Sequence, residues 1–348
     1  MIDPALSARV DAVFADLNGA DQPGGVLLII DQDQIVYSRG YGLANLETKT
    51  PNTPDSVFYL ASLSKQFTAM AIMLLAERQQ LRYDDPLLTY VPQFSAWGAE
   101  ITLRHLLNHI SGLPDYIALF TTQVYGENIR EYTREITGIT NAAAVQRVLS
   151  EAGLKFPVGQ QYQYSNTNYV LLALIVEAVS RQSFADFLRE NIFDPLGMQH
   201  TFVYDTSRPE IPNLAQGYLL EEGRFERWDY PLLTAGDGGI FSTLNDLFRW
   251  DQALNSEHLV PKPTLERAFT SGTSNDGKPV GYGFGWMTAV FPGLRHVAHG
   301  GSLCAYNNYL IRFLDSQRTI IVLTNHRWAP GPRLRAHQVA EILFGYVE

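Results

Sequence analysis

Short runs of strand-forming residues, separated by turns, predict β-strands at both ends of the chain. Two runs near the start, 25–30 and 34–41, are rich in β-branched residues and are joined by the short polar turn at 31–33. Four runs of the same kind lie near the end: 283–290, 295–299, 306–314 and 319–324. Apolar residues at helical spacing predict one helix before the first strands, at 5–17, and one after the last, at 335–346.

The middle of the chain has a different pattern. Strand signals are sparse from 84 to 225, where 121–149 looks helical and 169–179 and 184–192 predict strongly apolar helices. We therefore expect an α+β fold (an α/β sandwich), in which one antiparallel sheet is flanked by helices. Residues 1–83 and 226–348 would form this discontinuous sheet domain. Residues 84–225 would form an inserted, mostly helical domain, with the active site between the two.

The first candidate chemistry lies where an apolar strand-like run, 57–61, meets a helix predicted at 66–77. Ser62 and Lys65 stand at this junction, and their spacing places both side chains on one face of a helix's first turn. A serine nucleophile needs a base within hydrogen-bond reach, and an oxyanion needs a fixed N–H donor. A serine cap with an exposed lysine is the simpler alternative. The apolar neighbours argue for burial, and a buried lysine must pair or lower its pKa.

Two further groups offer matching chemistry. Tyr164 and Asn166 precede the helix predicted at 169–179 and supply a phenol and an amide. A phenol near an ammonium has a lowered pKa, so either tyrosinate or neutral lysine could accept the serine proton. His299, Gly300, Gly301 and Ser302 end a strand-like run, where glycines allow close backbone approach and Ser302 N–H is a second oxyanion donor. Taken singly, each group is also explained as an ordinary turn.

Together these groups resemble the motifs of the serine β-lactamase and penicillin-binding-protein family. The closest resemblance is to its class C-like branch, which includes D-peptidases and carboxylesterases. The chain carries Ser-x-x-Lys, Tyr-x-Asn and then His-Gly-Gly, in the order of that branch. Four more stretches are similar to the same branch: 84–87, 101–113, 195–198 and 238–243.

The resemblance implies a role for each motif residue. Ser62 would be the nucleophile, Lys65 the base or the cation that orients it, and Tyr164 the relay that carries a proton to the leaving group. Asn166 would hold Lys65 and the substrate, and the oxyanion would lie between the backbone N–H groups of Ser62 and Ser302. The third motif, His299, Gly300 and Gly301, would bind and orient the substrate. No cofactor and no metal is implied.

The third motif departs from the Lys-Thr-Gly that is common in the family. Gly300 has no hydroxyl and His299 is mostly neutral near pH 7, so binding of a substrate carboxylate is weakened. We therefore expect a carboxylesterase or amidase that forms an acyl-enzyme from a small-molecule ester, amide or lactam. A β-lactamase, or a D-amino-acid peptidase or carboxypeptidase, is the alternative. A non-catalytic ligand-binding sensor is the alternative of another class. The sequence shows no obvious deacylating carboxylate.

The composition of the chain excludes some classes of binding partner. The 348 residues are 46% hydrophobic and 18% charged, and the net charge of −10 comes without any basic run. This argues against nucleic acid and anionic membranes as partners. One cysteine, Cys304, excludes an intrachain disulfide. No signal peptide or long apolar run is evident, so we expect a cytoplasmic protein, or a periplasmic or secreted one if a leader was removed. The oligomeric state cannot be predicted.

Two secondary expectations complete the sequence picture. His105 with His109, and His296 with His299, have spacings that metal ligands use, but neither pair has the glutamate of a His-Glu-x-x-His motif. A zinc site is therefore disfavoured. The loops at 116–128 and 218–234 are rich in aromatic residues and are expected to form the walls of an apolar acyl pocket.

Overall fold

The structure is a computed structural model that describes residues 2–123, 128–206, 210–228, 232–291 and 293–346. Its strands are β1 (Gly25–Asp31), β2 (Gln34–Tyr41), β3 (Leu43–Asn45), β4 (Thr50–Pro51), β5 (Phe58–Tyr59), β6 (Phe202–Val203), β7 (Tyr218–Glu221), β8 (Arg224–Arg227), β9 (Ile240–Ser242), β10 (Met287–Phe291), β11 (Leu294–Leu303), β12 (Tyr306–Phe313) and β13 (Arg318–Thr324). Its helices are α1 (Pro4–Ala12), α2 (Lys65–Glu77), α3 (Leu103–Leu107), α4 (Tyr116–Phe120), α5 (Ile129–Ile136), α6 (Asn141–Leu149), α7 (Asn166–Ser180), α8 (Phe184–Leu188), α9 (Asp194–Leu196), α10 (Leu244–Leu254), α11 (Lys262–Ala268) and α12 (Pro332–Phe344).

A six-stranded antiparallel sheet joins the two ends of the chain. Its strand order is β10-β11-β12-β13-β1-β2, so the first strand lies beside the last. Gly25 pairs with Thr324 at one end of this contact and Asp31 pairs with Arg318 at the other. The predicted α+β class, an antiparallel sheet flanked by helices, is confirmed.

Both faces of the sheet are covered, which explains the unbroken apolar sequence of β1. Leu27 and Ile29 point to the face covered by α1 and α12, where they share a core with Val10 and Val339. Their neighbours Val26, Leu28 and Ile30 point to the opposite face and belong to the larger core that contains α2 and α7. The period of two along β1 therefore separates two layers of core.

Helix α2 lies at the centre of the larger core. Every residue from Lys65 to Leu75 is buried, so the helix is enclosed on all sides. It packs against α7, and β11 packs against the turn that precedes α2. This packing brings the Ser62 turn, the start of α7 and the third motif into one region.

Two predicted elements differ in detail. Strand β10 begins at Met287 because the backbone from Gly283 to Trp286 closes a turn through a Gly283 N–H bond to the Trp286 carbonyl. The helix predicted at 121–149 is divided into α5 and α6, with Gly138 at φ +74 between them. Residues 124–127 of that prediction lie outside the described residues.

The division into two domains, 1–83 with 226–348 and 84–225, stays a prediction. The larger core runs through both parts without interruption, since Phe67, Leu171 and Trp250 belong to one cluster. Among the residues that the structure describes, no helix has the length and hydropathy that a bilayer-crossing segment needs.

Candidate active site

The nucleophile candidate lies in a tight turn between β5 and α2. Residues Ala61–Ser64 form a 3₁₀ turn, and α2 begins only at Lys65. The spacing predicted Ser62 in the first turn of the α-helix, but the structure places it in the 3₁₀ turn before that helix. The reason is the backbone of Ala61, whose φ of +50 bends the chain sharply. A non-glycine residue in this left-handed region costs about 1–3 kcal/mol, which the surrounding buried core must supply.

Lys65 is fully buried and uses all three of its N–H donors. Its Nζ donates to Ser62 Oγ at 3.0 Å, to Asn166 Oδ1 at 2.8 Å and to the backbone carbonyl of Asp237 at 2.7 Å. Burial lowers the pKa of Lys65 to about 8, and the negative charges of Asp237 and Asp115 oppose that shift. Lys65 thus lies within hydrogen-bond reach of Ser62, and the pKa of Lys65 is close to neutral pH.

The Asn166 amide connects Lys65 to a carboxylate. Its Nδ2 donates to Asp115 Oδ2 at 3.0 Å. The other oxygen of Asp115 accepts the backbone N–H of Ile117 at 3.1 Å. Burial raises the pKa of Asp115 to about 6.

A second carboxylate, Asp237, lies beside the same lysine. Only 5% of Asp237 is exposed, and its Oδ2 accepts from the Tyr116 hydroxyl at 2.8 Å. Burial raises the pKa of Asp237, and the charge of Lys65 partly offsets this. Asp115 and Asp237 are the site residues that sequence reasoning missed. Each lies just outside a stretch that resembles the family, at 101–113 and 238–243, and a single aspartate in a loop normally indicates a turn.

The phenol of Tyr164 borders the same cavity as Ser62, and the Lys65 Nζ lies 5.0 Å from the centroid of its ring. Burial raises the pKa of Tyr164 well above its ordinary value, and its interaction with the Ser62 hydroxyl offsets this only in part. The expectation of a lowered phenol pKa is therefore wrong. Burial penalises the phenolate more than the nearby groups stabilise it.

Behind Tyr164 lies His109, which the sequence suggested only as a metal ligand. The two ring centroids are 4.3 Å apart, and His109 Nδ1 accepts the backbone N–H of Ser165 at 3.2 Å. Burial lowers the pKa of His109 well below its ordinary value, so the ring is neutral. His105 Nδ1 accepts the N–H of Thr102 at the start of α3. Among the residues described, no group of three or more His, Cys, Asp or Glu side chains could hold a metal ion.

The third motif lies inside β11 rather than at its end. His299 is buried, and burial lowers its pKa to about 3. Its Nδ1 lies 2.6 Å from the carbonyl oxygen of Gly300, and its Nε2 lies 2.9 Å from the Tyr282 hydroxyl. The neutral ring therefore donates from Nδ1 and accepts at Nε2. His299 also lines a cavity that contains Ser62, and its contact with a substrate stays a prediction. A hydrogen bond between either ring nitrogen and a substrate would require the loss of one of these partners.

The two glycines of this motif have different surroundings. A Cβ on Gly301 would overlap the carbonyl oxygen of Leu60, directly before the Ser62 turn. A Cβ on Gly300 would have no atom closer than 3.7 Å. The close approach at Gly301 brings β11 against the turn and places Ser302 on the wall of the cavity that contains Ser62.

Two cavities meet at the candidate nucleophile, and Ser62, Tyr164 and Ser302 line both. One has a volume of about 210 Å³, and its apolar and aromatic wall consists of Tyr59, Ile117, Tyr132, Leu232 and Leu303. The other has a volume of about 430 Å³ and extends past Met287 and Tyr309 to the exposed Arg333. The loops at 116–128 and 218–234 were expected to form the walls of the acyl pocket. Ile117 from the first and Leu232 from the second line the smaller cavity, while 124–127 and 229–231 lie outside the described residues.

A half-buried serine that contacts a buried lysine, with a tyrosine and an asparagine at the same cavity, is also what the sequence resemblance implies. Residues 10–344 match the family model described as Beta-lactamase. The chain belongs to the beta-lactamase family. It is a serine hydrolase of that family, related to penicillin-binding proteins and D-aminopeptidases.

Curated relatives cover most of this chain. Penicillin-binding protein 4* of Bacillus subtilis is 36% identical over 333 residues, which are 91% of this chain and 71% of that protein. A D-aminopeptidase of Gluconobacter oxydans is 28% identical over 341 residues, which are 92% of this chain. The chain spans only 59% of the length of that D-aminopeptidase.

A solved structure with a similar fold is the octameric penicillin-binding protein homologue from Pyrococcus abyssi. It is 28% identical and superposes with a TM-score of 0.83 over 99% of this chain and 78% of that one. The fold of the beta-lactamase family therefore extends over essentially the whole chain.

Proposed function

We propose that this hydrolase forms an acyl ester on Ser62 and that its substrates are small esters and amides. The observation that carries the proposal is the contact between Lys65 and Ser62. A fully buried ammonium whose pKa is lowered to about 8 lies 3.0 Å from a serine hydroxyl that lines a cavity. A base with a pKa near the operating pH is the most effective proton acceptor for a hydroxyl nucleophile.

In the acylation step, neutral Lys65 accepts the hydroxyl proton as Ser62 Oγ attacks the substrate carbonyl. The backbone N–H groups of Ser62 and Ser302 are proposed to hold the resulting oxyanion, and one such donor is typically worth about 3–4 kcal/mol. The raised pKa of Tyr164 favours lysine over tyrosinate as the base, because the phenol keeps its proton.

The retained proton suits Tyr164 to a second task. Tyr164 would give this proton to the leaving alcohol or amine, and would receive the proton that Lys65 took from Ser62. The acyl ester would then be hydrolysed by water, whose proton passes to neutral Lys65, and Lys65 would give this proton to Ser62 Oγ as the ester bond breaks. Each step returns the residues to their starting protonation states.

The wall of the smaller cavity and the third motif support a neutral substrate. The smaller cavity is lined by apolar and aromatic side chains together with Asn166 and Asp237, and its apolar wall suits a short acyl group. At the third motif His299 is neutral and Gly300 lacks a hydroxyl, so the motif offers neither the cation nor the hydroxyl that would bind a carboxylate. Esters and amides without a carboxylate are therefore preferred over penicillins in this proposal.

A second candidate is a peptidase or β-lactamase that acts on substrates with a carboxylate. The specific observation in its favour is Arg333, which brings a guanidinium to the larger cavity. A relative that covers most of the chain is named as a D-aminopeptidase.

We also propose that the active site lies between two domains, because Ser62 and Ser302 come from one predicted domain and Tyr164 and Asn166 from the other.

A substrate panel separates these candidates. Short-chain p-nitrophenyl esters, D-amino-acid p-nitroanilides and nitrocefin should be assayed with wild-type protein and with Ser62→Ala. We expect kcat/KM to be highest for the esters, lower for the anilides and lowest for nitrocefin, with all three lost in the variant. Efficient nitrocefin hydrolysis would contradict the proposed substrate class. Unchanged hydrolysis by Ser62→Ala would contradict the mechanism itself.

A further inference from the structure

The amide of Asn166 has one orientation that satisfies both of its neighbours. A lysine ammonium only donates hydrogen bonds and an ionised carboxylate only accepts them. The amide between them must therefore turn its oxygen to Lys65, at 2.8 Å, and its nitrogen to Asp115, at 3.0 Å. The opposite orientation would place N–H against ammonium and oxygen against carboxylate.

We propose that Asp115 is a positioning residue that locks the Asn166 amide with its oxygen toward Lys65 and helps Lys65 to keep its proton at neutral pH. The inference rests on the proposed function, in which Lys65 is the base for Ser62. Asp115 lies outside the three motifs. It would act in two ways: it orients the Asn166 amide, and its negative charge stabilises the protonated Lys65.

Asp115 is itself held firmly against the start of α7. Tyr116 N–H donates to Thr167 Oγ1 at 2.9 Å, and Thr167 Oγ1 donates to the carbonyl of Pro114 at 2.6 Å. The Ser165 hydroxyl donates to the same carbonyl at 3.2 Å. The residues on both sides of Asp115 are thus bonded to the residues on both sides of Asn166. The carboxylate and the amide therefore form one unit against which Lys65 docks.

The charged and titratable groups around Lys65 come from several elements. Two are carboxylates, Asp115 and Asp237, and the negative charge of each lies near the ammonium. The histidines His109 and His299 are neutral because burial lowers the pKa of each ring. Two tyrosines also face the ammonium: the ring centroid of Tyr164 lies 5.0 Å from Nζ and that of Tyr169 lies 5.7 Å from it. Burial raises the pKa of both hydroxyls, so both keep their protons.

Asp237 offers a matched control. Its backbone carbonyl accepts from Lys65, but its carboxylate accepts from Tyr116 and makes no hydrogen bond to Asn166. Removing its charge should therefore alter the proton affinity of Lys65 while leaving the orientation of the amide unchanged. Asp115 should act through both routes.

The test is the pH profile of kcat and kcat/KM for a p-nitrophenyl ester, measured on folded variants. Asp115→Asn loses the charge and one of the two oxygen acceptors; its remaining oxygen can still accept from Asn166 at the cost of the Ile117 N–H bond. Its rising limb should therefore move to lower pH by about 0.5–1 unit with most of the plateau retained. Asp237→Asn should do the same. Asp115→Ala frees the amide to rotate, so its plateau kcat should fall about tenfold or more.

A double-mutant cycle shows whether Asp115 acts through the amide. Asp115→Ala combined with Asn166→Ala should have the same plateau kcat as Asn166→Ala alone. Additive losses, or equal losses in Asp115→Asn and Asp115→Ala with no shift of the limb, would overturn the inference. A wild-type profile for Asp115→Ala would also overturn it. The proposed function fails separately, if Ser62→Ala or Lys65→Met keeps wild-type activity.

Discussion

Lys65 and Asn166 stand 101 positions apart in the sequence, yet the lysine Nζ donates to the asparagine Oδ1 at 2.8 Å. The contact joins the first residue of α2 to the first residue of α7. Both helices are buried over most of their length, so the packing of two apolar helices fixes the position of one charged group. The reactivity of Ser62 therefore depends on the core as well as on its immediate neighbours.

The first prediction concerns the pH at which the enzyme becomes active. Burial lowers the pKa of Lys65 from 10.5 to about 8, so the neutral base becomes half-populated near pH 8. We expect kcat/KM for an ester to rise with pH through this value, because only the neutral amine accepts the serine proton. The measurement is a pH–rate profile between pH 6 and 10.

Lys65→Arg is the matched control for that profile, because arginine keeps the positive charge but does not deprotonate. We expect it to lose about 10²–10⁴-fold in kcat, as for a lost general base. A flat wild-type profile, or an active arginine variant, would show that Lys65 serves only as a cation.

A second prediction separates the two bases that the sequence left open. Tyr164→Phe should lower kcat by about 10²–10⁴-fold because the proton for the leaving group is missing. The rising limb of its residual activity should stay where it is in the wild type, because burial keeps the phenol protonated. A limb that shifts or disappears in this variant would identify tyrosinate as the base instead.

The third prediction uses the two adjacent glycines of β11 as test and control. Gly301→Ala should lower kcat about 10²-fold or more, because its Cβ overlaps the Leu60 carbonyl and pushes the strand away from the Ser62 turn. Gly300→Ala should have nearly wild-type kcat, since no atom lies within 3.7 Å of the new Cβ. Kinetics with thermal midpoints for both variants would check this, and equal losses would contradict the proposed close approach.

A fourth prediction addresses the second candidate function. Two substrates with the same acyl group should be compared, one with a carboxylate on its leaving group and one without. Arg333→Gln should raise KM about tenfold for the first, as expected for a lost charge-assisted hydrogen bond, and should leave the second unchanged. Equal effects on KM for the two substrates would mean that Arg333 does not bind the substrate carboxylate.

Much of the fold could be predicted because buried strands leave a strong local signal. The unbroken apolar run of β1 and the similar run of β13 are adjacent strands of one sheet. The third motif was harder, since His299, Gly300 and Gly301 have the composition of a turn. The structure continues β11 through them, because β12 pairs with each residue in turn and a glycine is required beside Leu60.

The candidate site could be predicted only in part. The structure brings Ser62, Lys65, Tyr164 and Asn166 together, as the ordered motifs imply, and their catalytic roles stay predictions. Asp115 and Asp237 were missed as site residues because each is an ordinary loop residue in sequence, and the sequence suggested His109 only as a metal ligand. Their importance comes from tertiary packing, which places two carboxylates near one buried ammonium.

The most direct test of the account is the mass of the protein during turnover. Intact-mass spectrometry should be run after acid quenching with a short-chain p-nitrophenyl ester, and separately after a fluorophosphonate. Fragmentation of the modified peptide must distinguish Ser62 from Ser64, which lies in the same turn. The account predicts one adduct, on Ser62, that Ser62→Ala does not form. Turnover without any adduct, or an adduct on another residue with full activity in Ser62→Ala, would contradict it.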